Sequence, residues 1–311
     1  MTTARQTDST DSTDSARSTG RTAEFERHRP RMFGLAYRML GSAEEAQDTV
    51  QDAYLRFRAT EPGSVEQSGA WLAKVVTNLC LNRLTSARVQ RERYAGPWLP
   101  EPVLTADGVL GPLESAEQRD SVSAALLVLL ERLTPTERAV YVLREAFAYG
   151  YREIAGVLDL GEANCRQLYR RSVSRLAADE ARFEPSERVR RELVEAFVDA
   201  AREGDLAHLE TVLAADVLWW GDGGGKVTAA RRPVEGRVKV LRFLEGIAER
   251  YLDGMELTVA EVNGDTGLVA RHGDTLFAVV TFEVRGGVVA AARTVLNPDK
   301  LAFMARQLTS G

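Results

Sequence analysis

The sequence predicts a multidomain chain in which two all-α units precede one α+β unit. At 311 residues, the chain is too long for one small domain. Apolar residues recur every three or four positions over residues 23–94 and again over 113–176, which is the helical period. After Pro185 the pattern changes to alternating and β-branched runs separated by Gly-containing turns. Helices followed by consecutive strands indicate an α+β architecture rather than a doubly wound sheet.

The composition is ordinary for a soluble globular chain and excludes several classes of protein. Hydrophobic residues make up 44% of the chain and charged residues 27%. The two cysteines, Cys80 and Cys165, are far apart, which excludes a disulfide-stapled secreted scaffold and favours a reducing cytoplasm. The three histidines are scattered, so neither a metal site nor a cofactor is expected. No apolar run reaches the ~18 residues that a membrane span requires.

The charge balance excludes a globally basic nucleic-acid-binding protein, because the formal net charge is −5. Residues 1–185 carry 24 basic and 26 acidic side chains, and residues 186–311 carry 16 and 19. Any surface that binds nucleic acid must therefore be local.

The first 22 residues are predicted to be a disordered tail. Eleven of them are Ser or Thr, and only Met1 and two alanines are apolar. Such a segment buries too little surface to offset the entropy of ordering it.

Residues 23–94 are predicted to form the first helical unit. Ser42 and Glu45 have the spacing of a capping box at the start of a helix. Residues 61–64 (EPGS) break the pattern, and a helix resumes near Gly69. The apolar positions that carry the helical period are Phe33, Tyr37, Leu40, Val50, Tyr54, Phe57, Leu72, Val75, Val76, Leu79 and Leu84.

The last helix of this unit concentrates positive charge. Residues 71–94 contain five basic side chains against Glu92, a net charge of +4. Asn78 and Asn82 lie one turn apart on one face. DNA phosphates bind Lys and Arg, and base edges bind amide or guanidinium groups, so this helix is a candidate DNA reader. A solvated basic face is the alternative interpretation.

A Pro- and Gly-rich linker, residues 95–115, precedes the second helical unit at 116–180. Thr134, Pro135 and Glu137 form a strong helix start. Helices are predicted over 136–147 and 151–158, then a Gly-containing turn, then a third helix over 162–177. This spacing and the polar third helix are typical of a helix-turn-helix, whose last helix enters the major groove. The alternative is an ordinary three-helix core with a basic outer face.

Residues 186–311 are predicted to form the α+β unit. Helices are expected over Ser186–Glu203 and Val238–Arg250. The predicted strands are Glu256–Val262, Gly267–Arg271, Thr275–Val284 and Val288–Leu296. Helices packed on a curved sheet enclose a pocket, which Trp219, Trp220, Phe243, Phe277 and Phe282 would line unless they are simply core. Residues 221–226 (GDGGGK) are not a phosphate loop, since Val227 replaces the required Ser/Thr and Trp220 the required Gly.

Three motifs in order resemble those of extracytoplasmic-function (group IV) RNA polymerase sigma factors of the sigma-70 family. Residues 46–55 (AQDTVQDAYL) are similar to the polymerase-binding helix of sigma region 2, although Gln47 replaces the usual acidic residue. Residues 71–84 resemble the minus-ten recognition helix, with Asn82 in place of the usual Asp. Residues 133–138 (LTPTER) and the helix-turn-helix resemble region 4. The resemblance covers residues 23–311.

Three further segments resemble signatures of the subfamily that carries a SnoaL-like C-terminal extension. They are the linker motif 98–102 (WLPEP), the loop 222–226 (DGGGK) and the segment 297–301 (NPDKL). The resemblance implies two all-α sigma domains, a region 2 helical bundle and a region 4 helix-turn-helix, followed by a C-terminal α+β SnoaL-like cone domain.

The resemblance also implies roles for individual residues, and no catalytic ones. The face that binds core RNA polymerase would comprise Asp48, Gln51, Asp52 and Leu55. The minus-ten element would be bound by Trp71, Lys74, Asn78, Asn82, Arg83, Arg88 and Arg91, with the loop 59–69 holding a flipped base. The minus-thirty-five duplex would be read by Asn164, Arg166, Gln167, Arg170 and Arg171.

The C-terminal domain would control the sigma domains in cis, without a separate anti-sigma protein. The expected partners are the clamp helices and flap of core polymerase, promoter DNA and no membrane; a small ligand of the pocket is left open. The Gly-rich loop is expected to dock on the linker. The residues expected to make regulatory contacts are Trp98, Leu99, Pro100, Glu101 and Pro102 in the linker, and Asp222, Gly223, Gly224, Gly225, Lys226, Asn297, Pro298, Asp299, Lys300 and Leu301 in the C-terminal domain.

Two other functions are alternatives to that of a sigma factor. A ligand-responsive helix-turn-helix regulator would bind DNA without polymerase. An isomerase- or cyclase-like enzyme in the C-terminal domain would need a carboxylate or His in the pocket, and its only candidates, Asp222, His272 and Asp274, lie in predicted turns.

Overall fold

The computed structural model describes residues 8–61, 63–106, 108–110, 119–176 and 187–310. The first helical unit consists of α1 (Asp8–Leu40), α2 (Ala43–Ala59) and α3 (Ser68–Glu92). Most of the apolar positions that predicted these helices are buried, among them Tyr37, Leu40, Phe57 and Leu72. The helical period therefore identified the inward face of each helix correctly.

The start of α1 differs from the prediction of a tail disordered up to residue 22. Residues 8–22 continue the helix that is packed from Phe25 onward, while residues 1–7 lie outside the described part. Once packing has nucleated a helix, each further residue adds a hydrogen bond without the cost of nucleation. Arg21 also reaches the carbonyl oxygens of Phe57 and Thr60 at the end of α2.

The second helical unit consists of α4 (Ala124–Leu130), α5 (Pro135–Glu145), α6 (Tyr151–Leu158) and α7 (Glu162–Leu176). The capping box at Thr134 and Glu137 forms as predicted. Asp159 ends α6 in the left-handed conformation (φ 54°) and makes the turn into α7. The helix-turn-helix predicted from the sequence is thus present.

The C-terminal domain begins with α8 (Glu187–Glu203) and α9 (Leu206–Val212). Its remaining elements are β1 (Leu213–Asp222), β2 (Val234–Glu235), α10 (Arg237–Tyr251), β3 (Glu256–Val262), β4 (Asp265–His272), β5 (Thr275–Arg285), β6 (Val288–Val295) and α11 (Pro298–Ser310). One six-stranded sheet has the order β2-β1-β6-β5-β4-β3, and only the β1–β6 pair is parallel. The predicted fold class, two helical units and an α+β domain, is confirmed.

Several C-terminal elements are absent from the sequence prediction. Strand β1 lacks regular alternation, α9 has seven residues, and α11 begins inside the segment interpreted only as a motif. As a consequence Asp222 was wrongly assigned to a turn: it is the last residue of β1 and is fully buried.

Three apolar clusters hold the chain together. The first runs through both helical units and includes Phe303 of α11. The second lies between the sheet and helices α8–α10, and the third between the sheet, α11 and Leu99 of the linker. Trp219 and Phe282 are buried in the second cluster and Phe243 packs against it, whereas Trp220 borders the third cluster and Phe277 is exposed. The five aromatics therefore do not line one pocket. Within the described residues, no helix is long and apolar enough to cross a membrane.

Candidate functional site

The outer face of α2 is open to solvent. Asp48, Gln51 and Leu55 follow one another at helical spacing and are exposed, and Leu55 retains 52% of its surface. Asp52, the fourth predicted member of this face, is half-buried and forms an ion pair with Arg83 of α3 (2.8 Å). The α2 face therefore presents an exposed carboxylate, an amide and a leucine together.

Three basic side chains of α3 form ion pairs within the protein. Arg83 contacts Asp52, and Lys74 forms an ion pair with Asp159 at the turn between α6 and α7 (2.6 Å). Arg91 is only 15% exposed and binds Glu131 and the carbonyl oxygen of Leu40. In this arrangement Arg91 is occupied by partners within the protein, and its contact with a DNA phosphate stays a prediction.

The remaining predicted minus-ten residues have mixed environments. Asn82 is exposed and Asn78 is half-buried on the same helix. Trp71 is half-buried with its ring 5.8 Å from that of Phe57. The side chain of Arg88 lies outside the described part of the chain.

The third helix of the helix-turn-helix, α7, has its polar face open. Asn164, Arg166, Gln167, Arg170 and Arg171 are all exposed. The opposite face is held by buried Cys165, Ser172 and Leu176, and the Ser172 hydroxyl donates to the carbonyl oxygen of Glu137 (3.2 Å). The sequence thus grouped five side chains that share one accessible helical surface.

The linker, the Gly-rich loop and the start of α11 converge on Asp222. Its carboxylate accepts hydrogen bonds from the Tyr94 hydroxyl (2.5 Å), the Leu99 amide (2.8 Å) and the Gly224 amide (3.1 Å). The Lys300 ammonium lies 2.7 Å away and completes a buried ion pair. We call these residues, Tyr94, Leu99, Asp222, Gly224 and Lys300, the Asp222 junction.

Lys300 reaches across this junction into the linker. Its ammonium donates to the Leu99 carbonyl oxygen (2.5 Å) and lies 4.5 Å and 4.3 Å from the ring centres of Tyr94 and Trp98. Burial lowers the pKa of Lys300 from its ordinary 10.5 to about 8, because desolvation outweighs the attraction of Asp222. Burial also raises the pKa of Tyr94.

Trp98 lies between two cations from different parts of the chain. The Arg91 guanidinium lies 4.0 Å from its ring centre, and Lys300 is 4.3 Å away. Arg91 in turn pairs with Glu131, which also binds Arg138 of α5 (2.7 Å). A continuous set of charged contacts therefore runs from the C-terminal domain through Trp98 to both helical units.

The rest of the loop and of the 297–301 segment supports the junction. Asn297 donates to the Tyr94 hydroxyl (2.9 Å), and Lys226 pairs with Asp299. Gly224 has φ +58°, and a Cβ there would clash with Asn297 and come within 2.8 Å of the Tyr94 hydroxyl. Leu301 is buried against Leu99 in the third cluster, while Pro298 starts α11. Gly223 and Gly225 complete the loop.

The linker also contacts the start of α2 through Glu101. Its carboxylate accepts from the Ser42 hydroxyl (2.7 Å) and from the amides of Ala43 (2.7 Å) and Glu44 (3.1 Å). Ser42 caps the Glu45 amide as predicted, but the carboxylate at this helix start belongs to Glu101, not to Glu45. Burial raises the pKa of Glu101. Pro100 and Pro102 flank Glu101 and are buried with it.

A second junction was missed by sequence reasoning. The Asn263 amide group donates to the Tyr37 hydroxyl (2.5 Å) and the Val122 carbonyl oxygen (3.0 Å), and its oxygen accepts from the Val103 amide (3.2 Å). One buried side chain thus joins the first helical unit, the linker and the segment leading into the second. Gly264 beside it has φ +73°, and a Cβ there would lie 2.8 Å from the Arg119 carbonyl oxygen. We call this the Asn263 junction; its only sequence signal was the Asn-Gly pair, which was interpreted as a turn.

Comparison with known proteins identifies the chain. Sigma-70 region 2 matches residues 25–89, and Sigma-70 region 4 matches residues 123–176. The chain is 36% identical to the ECF RNA polymerase sigma factor SigJ of Mycobacterium tuberculosis H37Rv, over 89% of this chain and 92% of that protein. The chain belongs to the extracytoplasmic-function RNA polymerase sigma factors.

A second relative and a solved structure agree with this assignment. The probable sigma factor SigI of M. tuberculosis CDC 1551 is 30% identical over 93% of this chain and 98% of its own length. The crystal structure of M. tuberculosis SigJ superposes with a TM-score of 0.72, at 34% identity, over 90% of this chain and 98% of that one. These relatives are sigma factors, so neither the polymerase-independent regulator nor the enzyme is favoured.

The sigma factor therefore binds core RNA polymerase and directs promoter recognition. Residues 25–89 form region 2, with α2 and α3, and residues 123–176 form region 4, with the helix-turn-helix. In this structure the two regions pack directly on one another, and the C-terminal domain contacts both of them and the linker.

Proposed function

We propose that the C-terminal domain controls this sigma factor in cis by holding regions 2 and 4 in a compact arrangement that cannot occupy a promoter. The observation that carries the proposal is the Asp222 junction, where one fully buried carboxylate joins the C-terminal domain to Tyr94 and Leu99 on the linker side. No separate anti-sigma protein is needed for such control, and no catalytic role is proposed for Asp222.

Promoter geometry explains why compaction inhibits. The minus-ten and minus-thirty-five elements are named for positions about 25 base pairs apart, which is about 85 Å of duplex at 3.4 Å per base pair. Here α3 of region 2 and the turn after α6 of region 4 are in contact, with Lys74 and Asp159 2.6 Å apart. The two DNA readers must separate before both elements can be bound.

The exposed surfaces support an order of events. Asp48, Gln51 and Leu55 would bind the polymerase clamp helices while the chain is still compact. Opening would then release Lys74 from Asp159 and Arg91 from Glu131 for the minus-ten strand. The residues Asn164, Arg166, Gln167, Arg170 and Arg171, exposed throughout, would bind the minus-thirty-five duplex. The sigma factor would act in the cytoplasm, where polymerase and promoter DNA are found.

The test compares Asp222→Ala with Asp216→Ala, an exposed aspartate on the same strand. The compact wild-type chain should have a radius of gyration of about 20 Å in small-angle X-ray scattering. Asp222→Ala should expand it by several ångströms and raise promoter-directed transcription with core polymerase at least threefold, whereas Asp216→Ala should change neither. Wild-type compactness and transcription in Asp222→Ala would refute control through this junction.

A further inference from the structure

The N-terminal part of α1 holds the point at which α2 ends. The Arg21 guanidinium donates to the carbonyl oxygens of Phe57 and Thr60 and to the Thr60 hydroxyl. Thr60 is the C-cap of α2, and its own hydroxyl donates to the Phe57 carbonyl oxygen (2.7 Å). The last carbonyl groups of a helix lack partners within it, so a forked guanidinium suits this position. Arg21 therefore fixes the backbone where the loop between α2 and α3 begins.

The same helix also holds the other end of this loop, residues 60–67. Glu24 of α1 accepts a hydrogen bond from the hydroxyl of Ser68 (2.5 Å), which is the first residue of α3. Arg21 and Glu24 are three positions apart in the helix and are therefore neighbours on one face. We call these two residues the α1 clamp, because together they hold both ends of the loop.

The clamp is also connected to α3 through aromatic rings. The Arg21 guanidinium lies 4.7 Å from the ring centre of Phe57. Phe57 is buried, and its ring centre is 5.8 Å from that of Trp71, which lies in the first turn of α3. A change at Arg21 should therefore act on the loop and on the start of the predicted minus-ten helix together.

Between its two fixed ends the loop is open to solvent. Val65 packs against the first apolar cluster, whereas the exposed residues are Glu61, Gly63, Ser64, Glu66 and Gln67. A base that leaves the duplex loses its stacking, and ordering a loose loop around it would add to that cost. A loop with anchored ends and an exposed middle avoids much of this additional cost.

We propose that the α1 clamp positions the loop 60–67 to receive an unpaired base of the minus-ten element. Arg21 and Glu24 are positioning residues, and neither needs to touch DNA. The inference rests on the prediction that this loop holds a flipped base, and it is independent of control by the C-terminal domain. Both residues precede the segment 25–89 that matches Sigma-70 region 2, so the clamp adds to that region a part outside the family match.

The test uses holoenzyme assembled from core polymerase and the full-length chain, on promoter DNA whose minus-ten segment is already unpaired. Each unpaired base is replaced in turn by an abasic nucleotide, and fluorescence anisotropy measures the affinity. With the wild-type chain, removal of the base at one position should weaken binding by about tenfold. Arg21→Ala should reduce this abasic effect to about threefold or less, because a displaced loop no longer fits the base.

Two further variants separate positioning from folding. Arg21→Lys keeps the charge but loses the planar fork that reaches two carbonyl oxygens, so its abasic effect should be intermediate. Arg27→Ala removes an exposed arginine from the same helix and should match the wild type. All three variants should bind core polymerase as the wild type does.

Four results would overturn the proposal. Arg21→Ala could retain the full abasic effect, or Arg27→Ala could lose as much of it as Arg21→Ala does. Weaker binding of Arg21→Lys to core polymerase would assign Arg21 a purely structural role. A wild-type chain without an abasic effect at any minus-ten position would show that the loop receives no base.

Discussion

The C-terminal domain holds the sigma regions through two junctions of opposite chemistry. The Asp222 junction buries an ion pair: Asp222 has no exposed surface, and the Lys300 side chain is 8% exposed. The Asn263 junction is neutral and depends on one amide group with three partners from three parts of the chain. Removing the neutral side chain loses hydrogen bonds, whereas removing one partner of the charged pair also leaves an uncompensated charge in the interior. The charged junction is thus the more sensitive of the two to loss of a single side chain.

Removal of one charge should have the largest effect. Asp222→Ala leaves Lys300 buried without its partner, so we expect it to destabilise the closed chain by about 3–5 kcal/mol in urea unfolding. Because the charge itself causes the loss, adding Lys300→Met should recover more than half of it. If the double variant is as unstable as the sum of the single ones, the two side chains are not energetically coupled.

The two junctions also differ in how far the sequence predicted them. The 98–102, 222–226 and 297–301 segments were recognisable because their Pro, Gly and charged residues are not those of a generic core, and the structure brings all three together. The Asn263–Gly264 pair is a common hairpin-turn sequence, so it was interpreted only as a turn. The buried hydrogen bonds of the Asn263 side chain were therefore not predicted. Local pattern shows that a turn forms, but not which residues its side chain contacts 141 to 226 positions away in the sequence.

Local sequence pattern also predicted the charge of α3 but not the partners of its basic side chains. A net charge of +4 over residues 71–94 predicted a phosphate-binding face, and the helix itself forms as expected. Sequence could not show that Arg91 meets Glu131 or that Lys74 meets Asp159, because both partners belong to region 4. Charge at one position is local information, whereas its partner depends on tertiary packing.

The neutral junction should give a smaller effect when it is broken. Asn263→Gly removes three hydrogen bonds but keeps the left-handed backbone (φ 55°), so we expect a loss of about 2 kcal/mol of unfolding free energy. Asn263→Ala should cost about 1 kcal/mol more, since a Cβ is strained in that conformation. Equal stabilities of wild type and Asn263→Gly in urea unfolding would contradict a structural role for these bonds.

The smallest effect should come from a change in pH. It should act through Lys300 and therefore on the Asp222 junction rather than on the Asn263 junction. The pKa of Lys300 is about 8 in the closed chain and ordinary, 10.5, once the junction opens. Between these values the open state binds more protons, so raising the pH favours closure by at most tenfold per pH unit, and lowering it favours opening. Below about pH 8 the effect should level off, because Lys300 is then protonated in both states.

The charged and titratable groups around Lys300 set the range of the measurement. The groups that act on Lys300 are Asp222, Glu101 and Arg91, and the raised pKa of Tyr94 favours opening only above about pH 10. The fraction of compact chain, followed by a donor–acceptor dye pair on regions 2 and 4, should therefore rise from pH 8 to 9.5. Lys300→Arg, which stays charged throughout, should abolish the rise, and Asn263→Gly should retain it. A rise that persists in Lys300→Arg would assign the titration to another group.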